Sequence, residues 1–115
     1  MRSRTALLLA AALPLTVLCA GCNRRPQTTP EQYDAFCARC HGDHGEGVAK
    51  SLKLYPNLDF AASPMVRRDD RAAVRQRIVE GYGPMPGFAR RLTPQEIERM
   101  VDFTFQLARN PKEDP

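Results

Sequence analysis

Cys37-Ala38-Arg39-Cys40-His41 is the stretch whose reading decides the fold. On a helix, Cys37 and Cys40 stand at i and i+3 and His41 at i+4, so two thiols and an imidazole project from one face. Thiol–disulfide exchange of the thioredoxin kind wants such a pair after a strand in a βαβ unit, and nothing strand-like precedes Cys37. A structural zinc site wants four ligands, and beyond the pentapeptide only His44 is close. The third chemistry fits without a missing part. C-x-x-C-H is the spacing at which a haem c is attached, by two thioether bonds and a histidine on its iron. Cys37 and Cys40 are therefore the expected attachment points and His41 the expected iron ligand.

The flanking sequence predicts helices. Thr29-Pro30-Glu31-Gln32 reads as a helix start, with Thr29 as N-cap, Pro30 at N1 and Gln32 closing a capping box at N3. Tyr33, Phe36, Cys37 and Cys40 then follow a 3/1/3 spacing, which is one face of a helix over 31–41. Gly42, Gly45 and Gly47 break it. A second helix starts at Asp69 or Asp70, carries Val74, Ile78 and Val79, and stops at Gly81. A third opens with the capping box Thr93-Pro94-Gln95-Glu96 and presents Ile97, Val101, Thr104, Phe105 and Ala108 on one stripe. Residues 42–66 keep no sustained period and are expected to wrap the haem as a loop with a short helical turn. A domain of about 80 residues buries only a modest core, and a covalently held porphyrin supplies the staple it lacks.

The four methionines are candidates for the sixth iron position. Met1 lies in the leader, and Met100 sits between Ile97 and Val101, where core packing suits it. Met65 follows Ser63-Pro64 in the loop. Met85 lies in Gly81-Tyr82-Gly83-Pro84-Met85-Pro86-Gly87, where two prolines fix φ and three glycines allow tight turns. A segment built that way can hold a thioether at one point against a metal, so Met85 is the expected second ligand. His44, three residues after His41 in a glycine-rich turn, would have to cross the ring plane to bind and is expected at the surface.

Before the domain, Arg2 and Arg4 precede an apolar run from Ala6 to Ala20, which reads as a signal-peptide core over 1–21. An uncleaved anchor is the other reading, since the run is at the short end of what spans a bilayer. Leu18-Cys19-Ala20-Gly21-Cys22 resembles a bacterial lipobox, which implies acylation of Cys22 and an exported, membrane-anchored protein on the periplasmic side. Residues 22–29 are polar and proline-containing and are expected to be a flexible tether. The domain then runs over 30–109, followed by a frayed tail at 110–115. The chain carries a net charge of +4, and removing Arg2 and Arg4 with the leader leaves +2. Arg67, Arg68, Arg71, Arg75, Arg90 and Arg91 are clustered, which suits solvated or propionate-bound arginines or a rim steering an acidic redox partner. Export argues against nucleic acid as a partner.

Taken together, Cys37 to Gly47, Pro56-Asn57-Leu58, Ile78 to Phe88 and Leu92 to Ile97 resemble the class I mono-haem cytochromes c of bacteria. The resemblance covers residues 30–108. It implies an all-α fold of three main helices and connecting loops around one covalently attached haem, with the first and last helices crossing near it. It also implies His41/Met85 axial ligation and one-electron transfer with partners of a respiratory or periplasmic chain. By the same resemblance, Pro56 offers its carbonyl to His41 Nδ1, and Gly42 lets the backbone pass close to the porphyrin. The competing function is an enzyme or ligand sensor with five-coordinate haem, which would need the sixth position open.

Overall fold

The computed structural model describes residues 24–110; the leader, Cys19, Cys22 and residues 111–115 lie outside the described residues. Among the described residues nine elements follow one another. They are α1 (Thr29–Phe36), α2 (Ala38–His41), α3 (Ala49–Leu52), a 3-10 turn (Pro56–Leu58), α4 (Pro64–Arg67), α5 (Arg71–Glu80), β1 (Gly81–Tyr82), β2 (Met85–Pro86) and α6 (Pro94–Arg109). The fold is mostly helical, with α1, α5 and α6 as its three longest elements. The wrapping loop expected over 42–66 holds α3 and the 3-10 turn and runs into α4 at Pro64.

The helix starts follow from their caps. Thr93 accepts from the Glu96 N–H, and the Glu96 carboxylate accepts from the Thr93 N–H, the capping box read from the sequence. At α1 the box is shifted by one residue. Thr28 is the N-cap and Glu31 its N3 partner, rather than Thr29 and Gln32. A carboxylate accepts from two N–H groups at once, here those of Gln27 and Thr28, which an amide in its place would do more weakly. Asp70 caps α5 by accepting from Ala73, while Asp69 takes a left-handed φ of 54° before it.

Gln32 is released from capping and is buried instead, 1% exposed, donating to Glu96 Oε1 at 2.7 Å and to the Pro26 carbonyl at 3.3 Å. This bond ties α1 to the start of α6. Tyr33, with its ring 5.4 Å from that of Phe103 in an edge-on contact, joins the same two helices. Ile97, Met100, Val101 and Phe105 of α6 form the core with Val74 and Ile78 of α5, Tyr33, Phe60, Phe88 and Leu92. Each such buried side chain contributes roughly 1.5–3 kcal/mol relative to exposure. Met100 is among the most deeply buried, as its place in the α6 stripe requires.

Two features of the described ends bear on the expected organisation. The segment read as a tether over 22–29 is docked from Arg25 onward. The Arg25 guanidinium donates to Glu96 Oε2 at 2.7 Å and to the Arg91 carbonyl at 3.1 Å. The physical reason is a buried acid: Glu96 is 7% exposed and takes the nearest cation as its partner. At the other end, Asn110 is bonded through its N–H to Gln106 and Leu107 and caps α6, and the rest of the expected tail, 111–115, lies outside the described residues.

Candidate functional site

The chain turns at Cys37 instead of running as one helix over 31–41. Cys37 still donates to the Tyr33 carbonyl at 2.7 Å, and its own carbonyl accepts from Cys40 at 3.1 Å and His41 at 3.0 Å. The last of these is an α-helical bond, so Cys37, Cys40 and His41 keep the one-face relationship although α1 ends at Phe36. Cys37 is half-buried and Cys40 exposed, and both thiols are free.

Burial, with a smaller push from Cys40, raises the Cys37 thiol to about 12. Disulfide exchange needs a thiolate, which burial disfavours at Cys37. Among the described residues no group of three or more His, Cys, Asp and Glu side chains could hold a metal ion.

His41 is held from two sides. Its ring packs against Phe60 with centroids 4.6 Å apart, and Nδ1 lies 2.9 Å from the carbonyl oxygen of Leu58. A carbonyl only accepts, so Nδ1 carries the proton and Nε2 keeps its lone pair. Burial lowers the pKa of His41 and the Leu58 bond opposes it, so the ring is neutral near neutral pH. A neutral imidazole with Nδ1 spoken for is the form that ligates a metal through Nε2.

The expected partner, Pro56, is displaced by two residues. Pro56 opens the 3-10 turn, within which the Leu58 N–H bonds the Tyr55 carbonyl. The carbonyl of Leu58, the turn's last residue, is left to face the imidazole. The sequence signal was present in Pro56-Asn57-Leu58, but which of three carbonyls points inward depends on the turn type.

Gly42 follows with φ 77°, a conformation that L side chains rarely adopt. A Cβ there would collide with the Glu46 carboxylate, which accepts from the His44 N–H. The Glu46 side chain can move aside, so it is the left-handed φ that calls for glycine here, separately from any approach to a porphyrin. The Gly42 carbonyl accepts from the Tyr33 hydroxyl at 2.6 Å, and burial keeps that hydroxyl protonated. His41 and Cys40 carbonyls accept from Gly47 at 2.6 Å and Val48 at 3.0 Å. The turn after the imidazole is thus closed by the loop that follows. His44 is exposed, as expected.

Met85 sits in a two-residue hairpin. β1 and β2 pair antiparallel with Gly81 opposite Pro86 and Tyr82 opposite Met85, leaving Gly83-Pro84 as the turn. A Cβ on Gly81 would collide with the Met85 carbonyl, and one on Gly87 would lie 2.6 Å from the Val79 carbonyl. The close return of chain onto α5 therefore excludes side chains at both positions. Phe88 then anchors the segment, donating to the Ile78 carbonyl at 2.8 Å and packing near Phe36. Met85 is half-buried against the core, and so is Met65, which lines a cavity of about 260 Å³ with Arg77, Gly81 and Tyr82.

The donor set fits a haem c: two free thiols and an imidazole with an unencumbered nitrogen on one turn, with a thioether held by a separate hairpin. Comparison with known proteins agrees. Residues 24–103 match the family model described as cytochrome c oxidase, cbb3-type, subunit III. The chain is 31% identical over 76 residues to cytochrome c6 of Gloeothece citriformis (strain PCC 7424), covering 66% of each chain. It is 34% identical over 77 residues to cytochrome c6 of Limnospira maxima, covering 66% of this chain and 85% of that one. A third relative, 33% identical over 79 residues, is the dehydrogenase subunit of alcohol dehydrogenase (quinone) from Acetobacter aceti, of which the match spans 10%. The chain belongs to the class I mono-haem c-type cytochromes, with one covalently bound haem c and its iron at the centre of an electron-transfer function.

Proposed function

We propose that this protein is an exported electron carrier or relay whose haem is attached through Cys37 and Cys40 and ligated by His41 and Met85. The observation that carries the reading is the His41–Leu58 bond, which leaves one imidazole nitrogen free on the same turn as two thiols. Haem c bound here supplies a one-electron couple between ferric and ferrous iron.

The chain's own groups do the rest. Leu58 and Phe60 fix the plane and tautomer of His41, so little reorganisation is needed on its side when the charge changes. The hairpin holds Met85 by backbone pairing and by glycines that admit no side chain, which suits a thioether kept in place through both oxidation states. A thioether favours the ferrous form and raises the potential, and burial in an apolar core pushes the same way. Retention of a methionine would also keep substrates from the sixth position, which separates a carrier from a five-coordinate enzyme or sensor.

The arginine run is partly spent inside the fold. Arg71 bridges Asp102 and Arg75 bridges Glu98, both across to α6, and Arg71 also lies over the Phe105 ring at 4.9 Å. Arg67 and Arg68 stay exposed and support docking of an acidic redox partner. Among the described residues no helix is long and apolar enough to cross a membrane; the attachment this reading uses is acylation of Cys22.

The test is direct. Acid–organic extraction of denatured holoprotein should leave one haem on the chain, and Cys37→Ala or Cys40→Ala should lower that yield sharply. Carbon monoxide added to the reduced wild type should bind slowly or not at all. Complete loss of haem on extraction would overturn attachment; rapid stoichiometric carbon monoxide binding would overturn the methionine-closed site.

A further inference from the structure

The docked N-terminal arm changes what a lipid at Cys22 would do. A tether starting at Cys22 and running freely to Thr29 would let the domain range over roughly 25 Å from the bilayer. Arg25 is not free: it bridges Glu96 and the Arg91 carbonyl, and its own carbonyl accepts from Gln27 Nε2 at 2.7 Å. Pro26 accepts from buried Gln32, and Gln27 and Thr28 donate to Glu31. Only three peptide steps separate Cys22 from Arg25, a span of at most about 11 Å fully extended. That is close to the Debye length of about 8 Å at physiological salt.

The anchor point is also a basic corner. Arg24 precedes the clamp, and Arg90 and Arg91 are exposed where Arg25 meets the Arg91 carbonyl. Arg91 reaches across the Phe36 ring at 5.8 Å. The acids close by are Glu96, paired with Arg25; Glu31, engaged by the α1 N-terminus; and Asp34, which shares a groove with Arg24. Arg24 helps to lower the Glu31 carboxyl electrostatically, but among the described residues Arg24, Arg90 and Arg91 form no salt bridge with these acids.

We infer that this corner, formed by Arg24, Arg90 and Arg91 around the Arg25 clamp, is the face on which the domain rests against anionic phospholipid headgroups. The inference rests on the reading of Cys22 as an acylated N-terminus and adds to it a fixed orientation. Acylation brings the corner within reach of the headgroups, and the arginines then choose an anionic over a neutral surface. Each basic residue near such a surface is worth about a fivefold change in partitioning. The clamp makes the contact rigid, so one end of the molecule faces lipid and the rest stays open to partners in the aqueous phase.

The processed holoprotein is placed in nanodiscs of phosphatidylcholine alone or with phosphatidylglycerol, after mass spectrometry of its N-terminus. Spin labels are introduced separately at Ala89→Cys, beside the corner, and at Ser51→Cys on α3. A nickel chelate carried on lipid headgroups should relax the label at 89 far more than the label at 51. The contrast should need phosphatidylglycerol and fall at least tenfold in 0.5 M salt or in the R90E/R91E double variant. Equal relaxation at 89 and 51, or a contrast indifferent to lipid charge, overturns the inference. If the N-terminus proves unmodified, the acylation reading fails by itself. The corner is then read by co-sedimentation of the same protein with phosphatidylglycerol vesicles. Salt-sensitive binding lost in R90E/R91E supports it, and no binding overturns it.

Discussion

His41 Nδ1 and the Leu58 carbonyl oxygen lie 2.9 Å apart, and through that contact the 3-10 turn Pro56–Leu58 sets the imidazole's orientation. Pro56 acts one step back: its fixed φ starts the turn that presents Leu58. In the reduced, diamagnetic holoprotein the His41 Nδ1 proton should therefore be protected from exchange and show through-hydrogen-bond coupling to a 13C-labelled leucine carbonyl. Coupling to a labelled proline carbonyl would restore the Pro56 assignment and sink this one. Pro56→Ala should cost only about 0.4–1 kcal/mol, by loosening the unfolded chain, and leave the visible spectrum unchanged.

Tyr33 governs the other side of the same turn. Its hydroxyl donates to the Gly42 carbonyl at 2.6 Å from a position 1% exposed. Tyr33→Phe keeps the ring contacts with Phe60 and Phe103 but leaves the Gly42 carbonyl, next to the imidazole, with only the long Gly45 N–H bond at 3.4 Å. The expected loss is about 0.5–1.5 kcal/mol of stability, the net contribution of a typical hydrogen bond. Chemical denaturation of holoprotein measures it; a change below a few tenths of a kcal/mol would show the bond to be incidental.

The methionines should separate into two kinds. Met100→Ala leaves a hole in the core and should cost about 2–5 kcal/mol, with the thioether-to-iron absorption band of the oxidised protein intact. Met85→Ala should abolish that band, lower the potential and admit carbon monoxide quickly. Gly81→Ala should imitate it in part, because a Cβ at φ 79° collides with the Met85 carbonyl and must push the hairpin away. Met65→Ala should leave the band in place. Loss of the band in the Met65 variant alone would transfer the ligand role to α4.

How much of this could be read without coordinates depends on the range of each interaction. The cap at Thr93, the α6 stripe and the burial of Met100 were legible because helical periodicity and capping are local. The one-residue shift to Thr28 was not, since Thr28 and Thr29 are equivalent until Glu31 closes the box. Nor was the choice of Leu58 over Pro56, which turns on the path of a single 3-10 turn. The Arg25–Glu96–Gln32 cluster joins residues some 70 positions apart and leaves no periodic trace. Composition alone made residues 22–29 look like a linker. A buried carboxylate far along the chain made part of it structure.

That cluster contributes to the acid dependence of the fold. The Glu96 carboxylate is held at about 2, first by the Thr93 N–H and then by Gln32 and Arg25, against an ordinary value of 4.5. Its folded pKa is below its unfolded one, so the stabilisation is complete above about 4.5. It is lost progressively as pH falls towards 2. Glu31 at the α1 cap is lowered in the same direction and adds to the slope. Urea unfolding of holoprotein between pH 6 and pH 2 should therefore show stability falling with acid across that window. In Glu96→Gln the amide cannot take part in the titration, so the protein should be less stable at pH 6 and its acid slope shallower. The Arg25→Ala variant should keep most of the slope, because the Thr93 N–H remains, while loosening residues 25–28 to proteolysis. A Glu96→Gln slope equal to that of the wild type would place the acid sensitivity elsewhere, and would leave the clamp as geometry without a titrating centre.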